Sequence, residues 1–307
     1  MVLIDRALAN GIQVCAWSFD TFYGRDGAFL DGLEERGQTF VAAIPANFRG
    51  WTKPPEVRKN KPKRGTRRHK KPSPLLGRCP SCEVQNLVKY SPVFVEQSWQ
   101  RYRIKDTDKG PEVWEIKWSI VWRKGPGGLP GRQHSLIVAR HVLTGEVKYF
   151  LANCVPGRSG VTVRWLLRVA FGRCSIESCL REGKEELGLD HYEVRGWRCI
   201  HRHFVVTQLS HLFCARMRQK YDDRSDDQLD RLTVEQVRSA MDTWLDAADL
   251  KPSARQARYA KEMKKQQYHQ RRNQQARRSH TKTRFQRLRL EGIPVERIKS
   301  CIPKPSE

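Results

Sequence analysis

Residues 12–44 read IQVCAWSFDTFYGRDGAFLDGLEERGQTFVAAI, and the hydrophobic pattern of this stretch decides the fold class. From Ile12 to Phe19 a short apolar run sets Val14, Ala16 and Ser18 against Cys15, Trp17 and Phe19, then stops at Asp20. That alternation predicts a buried strand with an acid at its carboxyl end. Gly27 to Arg36 spaces Phe29, Leu30 and Leu33 helically, Gly37 supplies the stop, and Thr39 to Ile44 predicts a second strand. Strand, helix and strand in succession favour a parallel pair in an α/β domain, with functional groups at the carboxyl ends of the strands. Upstream, Leu3, Ile4 and Leu8 recur at helical spacing and Asn10-Gly11 ends the helix.

Further along, the character changes twice. Residues 49–92 form a basic, Pro-rich loop in which Arg67, Arg68, Lys70 and Lys71 sit among many other cations. Residues 93–160 then read as an antiparallel β insertion. Trp114, Ile116, Trp118, Ile120 and Trp122 share one side of a strand, strands are expected at 135–142 and 146–152, and Thr144-Gly145 is the hairpin turn. Core packing is the expected role of the three tryptophans, ahead of base stacking. Val161 to Leu187 reads as one long helix interrupted only by Gly172 and Gly183, and a second helix follows from about Trp197 to Gln219. Thr233, with Gln236 three residues on, caps another helix reaching Leu250. The expected organisation is a strand-helix-strand part at 1–48, the loop, the insertion, a helical pair at 161–220 and a helical basic tail at 221–307.

The chain of 307 residues carries 58 Lys and Arg against 33 Asp and Glu, a formal charge of +25. A surplus of this size predicts a polyanionic partner. With 38% hydrophobic residues a core can form, so wholesale disorder is excluded. The longest apolar run, near Phe204 to Ala215, is broken by Gln208 and His211 and falls short of a membrane span. Asp5 and Arg6 rule out a secretory signal, which predicts a cytoplasmic protein, and nine scattered cysteines fit reduced thiols. In the tail, Arg271, Arg272, Arg277 and Arg278 are the densest cations, Glu262 is the single acid between Lys251 and Arg289, and phosphate contact is expected there.

Charge explains binding but not chemistry, so the few acids matter. Asp20 ends a buried strand, and Glu177 lies in an Arg173-x3-Glu177-x6-Lys184 spacing. At about 100° per residue these three side chains share one helix face, bordering a stripe of Val169, Ile176, Leu180, Gly183 and Leu187 expected to pack on the sheet. Taken alone, Asp20 fits a helix cap or turn and Glu177 a solvated surface. Clustered carboxylates are what two-metal phosphoryl transfer needs, with nearby Lys and Arg on the flanking phosphates.

The stretches Trp17 to Gly24 and Ser175 to Arg195 resemble the carboxyl-terminal part of DDE transposases of bacterial insertion sequences, over Met1 to about Leu250. The resemblance implies a ribonuclease-H-like fold with a β-rich insertion before the last catalytic helix, here a partial domain with a helical, basic carboxyl-terminal tail. It implies Asp20 and Glu177 as catalytic, metal-holding carboxylates for Mg2+ or Mn2+, with Arg173 and Lys184 on the phosphates. It also implies double-stranded DNA as partner, both transposon ends and target, a homo-oligomer on that DNA, and nucleoid association. Two departures stand out: Ala170 occupies the family's tyrosine position, and the first catalytic Asp is missing. A truncated copy is therefore expected, its amino-terminal half encoded upstream, and an inactive transposase-derived DNA-binding protein is the alternative. A general RNA-binding protein is the weaker third reading, since no RNP or KH-type motif is present. Cys79-Pro-Ser-Cys82 is half a zinc knuckle, for which only His69 and Cys154 offer further ligands, and His201 and His203 are expected to pack or to touch phosphate.

Overall fold

The computed structural model describes residues 1–57, 75, 79–158, 160–222 and 232–302. These divide into two compact units, Met1–Arg173 with Arg284–Glu307, and Cys174–Thr283. The elements of the first unit are α1 (Val2–Ala9), β1 (Trp17–Phe19), α2 (Thr21–Gly24), α3 (Gly27–Glu35), β2 (Phe40–Ile44), β3 (Arg49–Trp51), β4 (Cys82–Glu83), α4 (Val84–Tyr90), α5 (Pro92–Val95), β5 (Gln100–Thr107), β6 (Gly110–Lys124), β7 (Pro130–His141), β8 (Val147–Ala152) and α6 (Val163–Gly172). The second unit holds α7 (Cys174–Leu187), α8 (Trp197–Asp222), α9 (Val234–Asp246) and most of α10 (Pro252–Leu290). The last turns of α10 and the short β9 (Lys299–Ser300) return to the first unit.

β1 and β2 are parallel, with Ser18 opposite Val41, as the strand-helix-strand reading requires. Their neighbours differ from expectation in one respect. The antiparallel strands expected as an insertion continue the same sheet, because β2 pairs antiparallel with β8 and places Ala42 opposite Leu151. The order along the sheet is β1-β2-β8-β7-β6-β3-β4, with β5 also on β6 and β9 on β5. β2 is apolar on both faces, so leaving its far edge to water would expose backbone groups beside a buried run.

Period-two alternation sorts each strand between two cores. Val41, Ile116, Ile137, Ala139, Phe150 and Ala152 face Leu166, Leu167, Ala170 and Phe171 of α6. Phe40, Ala42, Ile44, Leu136, Val138 and Leu151 face Ile4 of α1, Leu30 and Leu33 of α3, Leu87 of α4 and Phe94 of α5. The first unit is thus helix, sheet, helix. Trp114 is fully buried among the first set and Trp118 packs against it, in line with a packing role. Ala170, the departure from the tyrosine signature, is core against the sheet. Buried charge also ties α3 down: Arg123 of β6 meets Asp31, and the Nε2 of fully buried His134 lies 2.7 Å from Glu34.

The predicted helix over 161–187 is two helices. Arg173 interrupts it, and the boundary between the units falls between Arg173 and Cys174. The stripe expected to continue onto the sheet changes fate there: Val169 packs against the sheet core, whereas Ile176 and Leu180 are exposed. The inner side of α7 is instead Cys179, Glu182, Gly183, Glu186 and Leu187, turned toward α8 and α9.

Two outcomes test this packing. Leu166→Ala removes a fully buried side chain from the α6 face and should cost about 2–5 kcal/mol in urea unfolding. His141 Nδ1 accepts from the amides of Leu143 and Thr144 at 3.3 and 3.1 Å, and burial holds its pKa below the ordinary 6.5. The neutral ring is therefore the folded form, and the unfolded chain takes up the proton first. Its stabilisation is complete above about pH 6.5 and is lost as pH falls below that. A melting series from pH 7.5 to 5.0 should show a smaller decline in His141→Asn than in the native chain.

Candidate functional site

Asp20 sits where β1 ends. Its Oδ1 accepts the amide protons of Phe22 at 3.0 Å and Tyr23 at 3.3 Å, so the side chain is the amino-terminal cap of α2. The short helix is pressed on the sheet by its last residue. A Cβ at Gly24 would lie 1.9 Å from the Ala43 carbonyl oxygen, so only glycine fits there. Phe19, Tyr23 and Phe29 close the same corner, with the Phe19 and Phe29 rings edge to face at 4.9 Å. Trp17 Nε1 donates to Gln38 Oε1 at 2.9 Å, fixing the other side of β1.

Sequence reading overlooked a second acid in this loop. Asp26 caps α3 in the same manner, accepting from the amides of Ala28 at 3.0 Å and Phe29 at 3.2 Å. An Asp one residue before a helical run was the available signal. At the far end, Gly37 adopts φ +64° and lets the Gln38 amide reach back to Leu33, which stops α3 as expected.

Glu177 and Lys184 are both exposed on α7, two turns apart. Asp20 and Arg173 belong to the first unit; Glu177, Lys184, Arg271, Arg272, Arg277 and Arg278 belong to the second. Arg67, Arg68, Lys70 and Lys71 lie outside the described residues, as does His69. Cys79 is exposed, and Cys82 lies on β4 opposite Gly50. His201, exposed, lies edge to face on the exposed Trp197 ring at 4.2 Å, and His203 Nε2 lies 2.8 Å from the Gly188 carbonyl. Among the described residues no three His, Cys, Asp or Glu side chains are grouped to hold a metal ion.

The cations of α10 far outnumber its acids. Thirteen Lys and Arg share its 39 residues with one acid, Glu262. Glu262 is engaged: Ser239 of α9 and Gln266 each donate to its Oε1 at 2.7 Å, and these bonds hold its carboxyl below the usual range. Arg271, Arg272 and Arg278 are exposed. Arg272 donates to the Tyr268 hydroxyl at 3.0 Å, which raises its pKa further and keeps it a permanent cation.

A basic, exposed helix and a carboxylate at the end of a parallel strand are now joined by an independent observation. Residues 1–111 match the family model DDE_5, described as DDE superfamily endonuclease. Comparison with curated proteins returned no match. The DDE-matched span holds β1, Asp20, α2, α3 and β2, and ends before Glu177. Similarity to DDE-type, transposase-like nucleases therefore covers the Asp20 corner itself. Among the described residues no helix is long and apolar enough to cross a membrane.

Substitution separates the cap from the charge at position 20. Asp20→Ala removes the cap and should lower stability by about 1 kcal/mol, whereas Asp20→Asn, which caps equally well, should leave the melting curve unchanged. Gly24→Ala should be worse than either, because the added methyl meets backbone.

Proposed function

We propose that the chain acts on DNA as a DDE-type transposase protein of a bacterial insertion sequence. The match of residues 1–111 to the endonuclease family carries this reading, since it falls on the strand end where a catalytic carboxylate belongs. The cations of α10 supply the phosphate contacts that such a protein needs, the exposed Arg271, Arg272 and Arg278 foremost, with Arg277 beside them. In this reading Asp20 and Glu177 are the two carboxylates of the strand-transfer centre, with Arg173 and Lys184 on the flanking phosphates. The substrate is double-stranded DNA at element ends and at the target, held by a homo-oligomer of the chain. Its place in the cell is then the cytoplasm, on the nucleoid.

A divalent ion, Mg2+ or Mn2+, is what the family implies. The described residues do not assemble a set to hold one: Asp20 spends Oδ1 on its helix, and no group of three metal-binding side chains is formed. A second reading, in which the chain binds DNA without cutting it, rests on the exposed cations of α10 alone.

Nicking of supercoiled and terminal-repeat DNA in the presence of Mg2+ or Mn2+ separates the two. The strand-transfer reading expects nicking by the native chain and at least about a hundredfold loss in Asp20→Asn and in Glu177→Gln, both folded. Binding to the same DNA with no nicking under any condition assigns the chain to the second reading.

A further inference from the structure

α7 and α8 bring together three side chains that neither the family match nor the carboxylates use. Cys179 of α7 is half-buried, and its Sγ lies 3.7 Å from Nδ1 of His211 on α8, a thiol–imidazole hydrogen bond. The opposite ring nitrogen, Nε2, lies 3.6 Å from Oε2 of Glu182, one helical turn beyond Cys179. His211 itself is buried, at 8% exposure, so the ring is held by its surroundings. With the imidazole proton on Nε2, the side nearer Glu182, the Nδ1 lone pair faces the thiol. Nucleophile, base and orienting carboxylate therefore stand in sequence.

The thiol opens on a cavity of about 540 Å3 lined also by Ser175, Ser178, Gln208, Leu212 and Arg218. That volume suits a small molecule. The lining is largely apolar and carries one cation, Arg218, beside the Glu182 carboxylate, so it suits a ligand with a short aliphatic stem and a carboxylate for Arg218.

We propose that Cys179 is a covalent modification site that exchanges with anionic low-molecular-weight disulfides, glutathione disulfide being the representative. In the exchange the thiol proton passes to Nδ1 of His211 while Sγ attacks one sulfur of the disulfide. The new S–S bond forms as the old one breaks, and the departing glutathione thiolate takes the proton back from His211. One disulfide replaces another, with no external oxidant. Arg218 holds a carboxylate of the incoming disulfide, and Glu182 keeps the imidazole turned.

The other cysteines give internal comparison. Burial pushes the thiols of Cys154 and Cys214 up, and that of Cys301 up to about 11, which disfavours their thiolates. Cys15, Cys79 and Cys199 are exposed and serve as references.

The test incubates the full chain with glutathione disulfide and follows each cysteine by peptide mass mapping. Cys179 should form the mixed disulfide at least about tenfold faster than Cys199, and His211→Gln should remove that advantage. Arg218→Gln should slow glutathione disulfide several-fold, roughly, yet leave the uncharged 2-hydroxyethyl disulfide unaffected. Far-ultraviolet circular dichroism checks each variant for folding, and the Arg218 comparison stands even if His211→Gln unfolds. Modification of Cys179 no faster than Cys199, or an equal effect of Arg218→Gln on both disulfides, overturns the proposal.

Discussion

The burial of β2 on both faces and both edges is the constraint from which the first unit follows. Val41 faces one core, while Phe40, Ala42 and Ile44 face the other, so neither surface of this strand can meet water. A strand of that kind needs hydrogen-bonded neighbours on each side. β1 fills one edge and β8 the other, and β8 carries the whole meander of β7, β6 and β5 with it. The pairing also fixes where β1 stops, and with it the position of Asp20.

The Asp20 corner shows one side chain meeting two demands. A carboxylate at the end of a parallel strand is well placed for chemistry, yet here it also satisfies two amides that would otherwise be orphaned at the start of α2. Gly24 makes the arrangement rigid, because α2 touches the Ala43 carbonyl with no room for a side chain. Charge is arranged in the opposite spirit. Carboxylates of the first unit are largely consumed by partners such as Arg123, Arg140 and Arg36, whereas in α10 the cations far outnumber a single engaged acid. A helix so polar on every side gains little from packing, and its charge density suits the DNA-binding role proposed for it.

Much of this was legible in residues 12–44: both strands and α3 appear in the expected order, and Gly37 marks the end of α3. The buried strand expected from Ile12, however, is only Trp17–Phe19, half-buried, with residues 12–15 exposed. Thr233 and Gln236 announced α9 through a capping box that forms as read. The break at Arg173 was not legible, because Gly172 costs a helix only about 1 kcal/mol and the apolar spacing runs on through Ile176 and Leu180. What turns α7 inward is a polar stripe of Cys179, Glu182 and Glu186, which hydrophobic periodicity assigns to solvent. Joining of β8 to β2 was hidden for another reason: residues 41 and 152 are far apart in sequence, and strand patterns do not state their partners. Cys179 and His211, on separate helices, escaped for the same reason.

The cationic surface is the feature on which the proposed DNA role turns, and the salt dependence of duplex binding measures it most directly. Titration of the native chain onto a 30-base-pair duplex between 50 and 200 mM salt should give a logarithmic slope of about −4 or steeper, as expected when at least five or so phosphates are neutralised. Binding that is absent at low salt, or that changes little across this range, would contradict it.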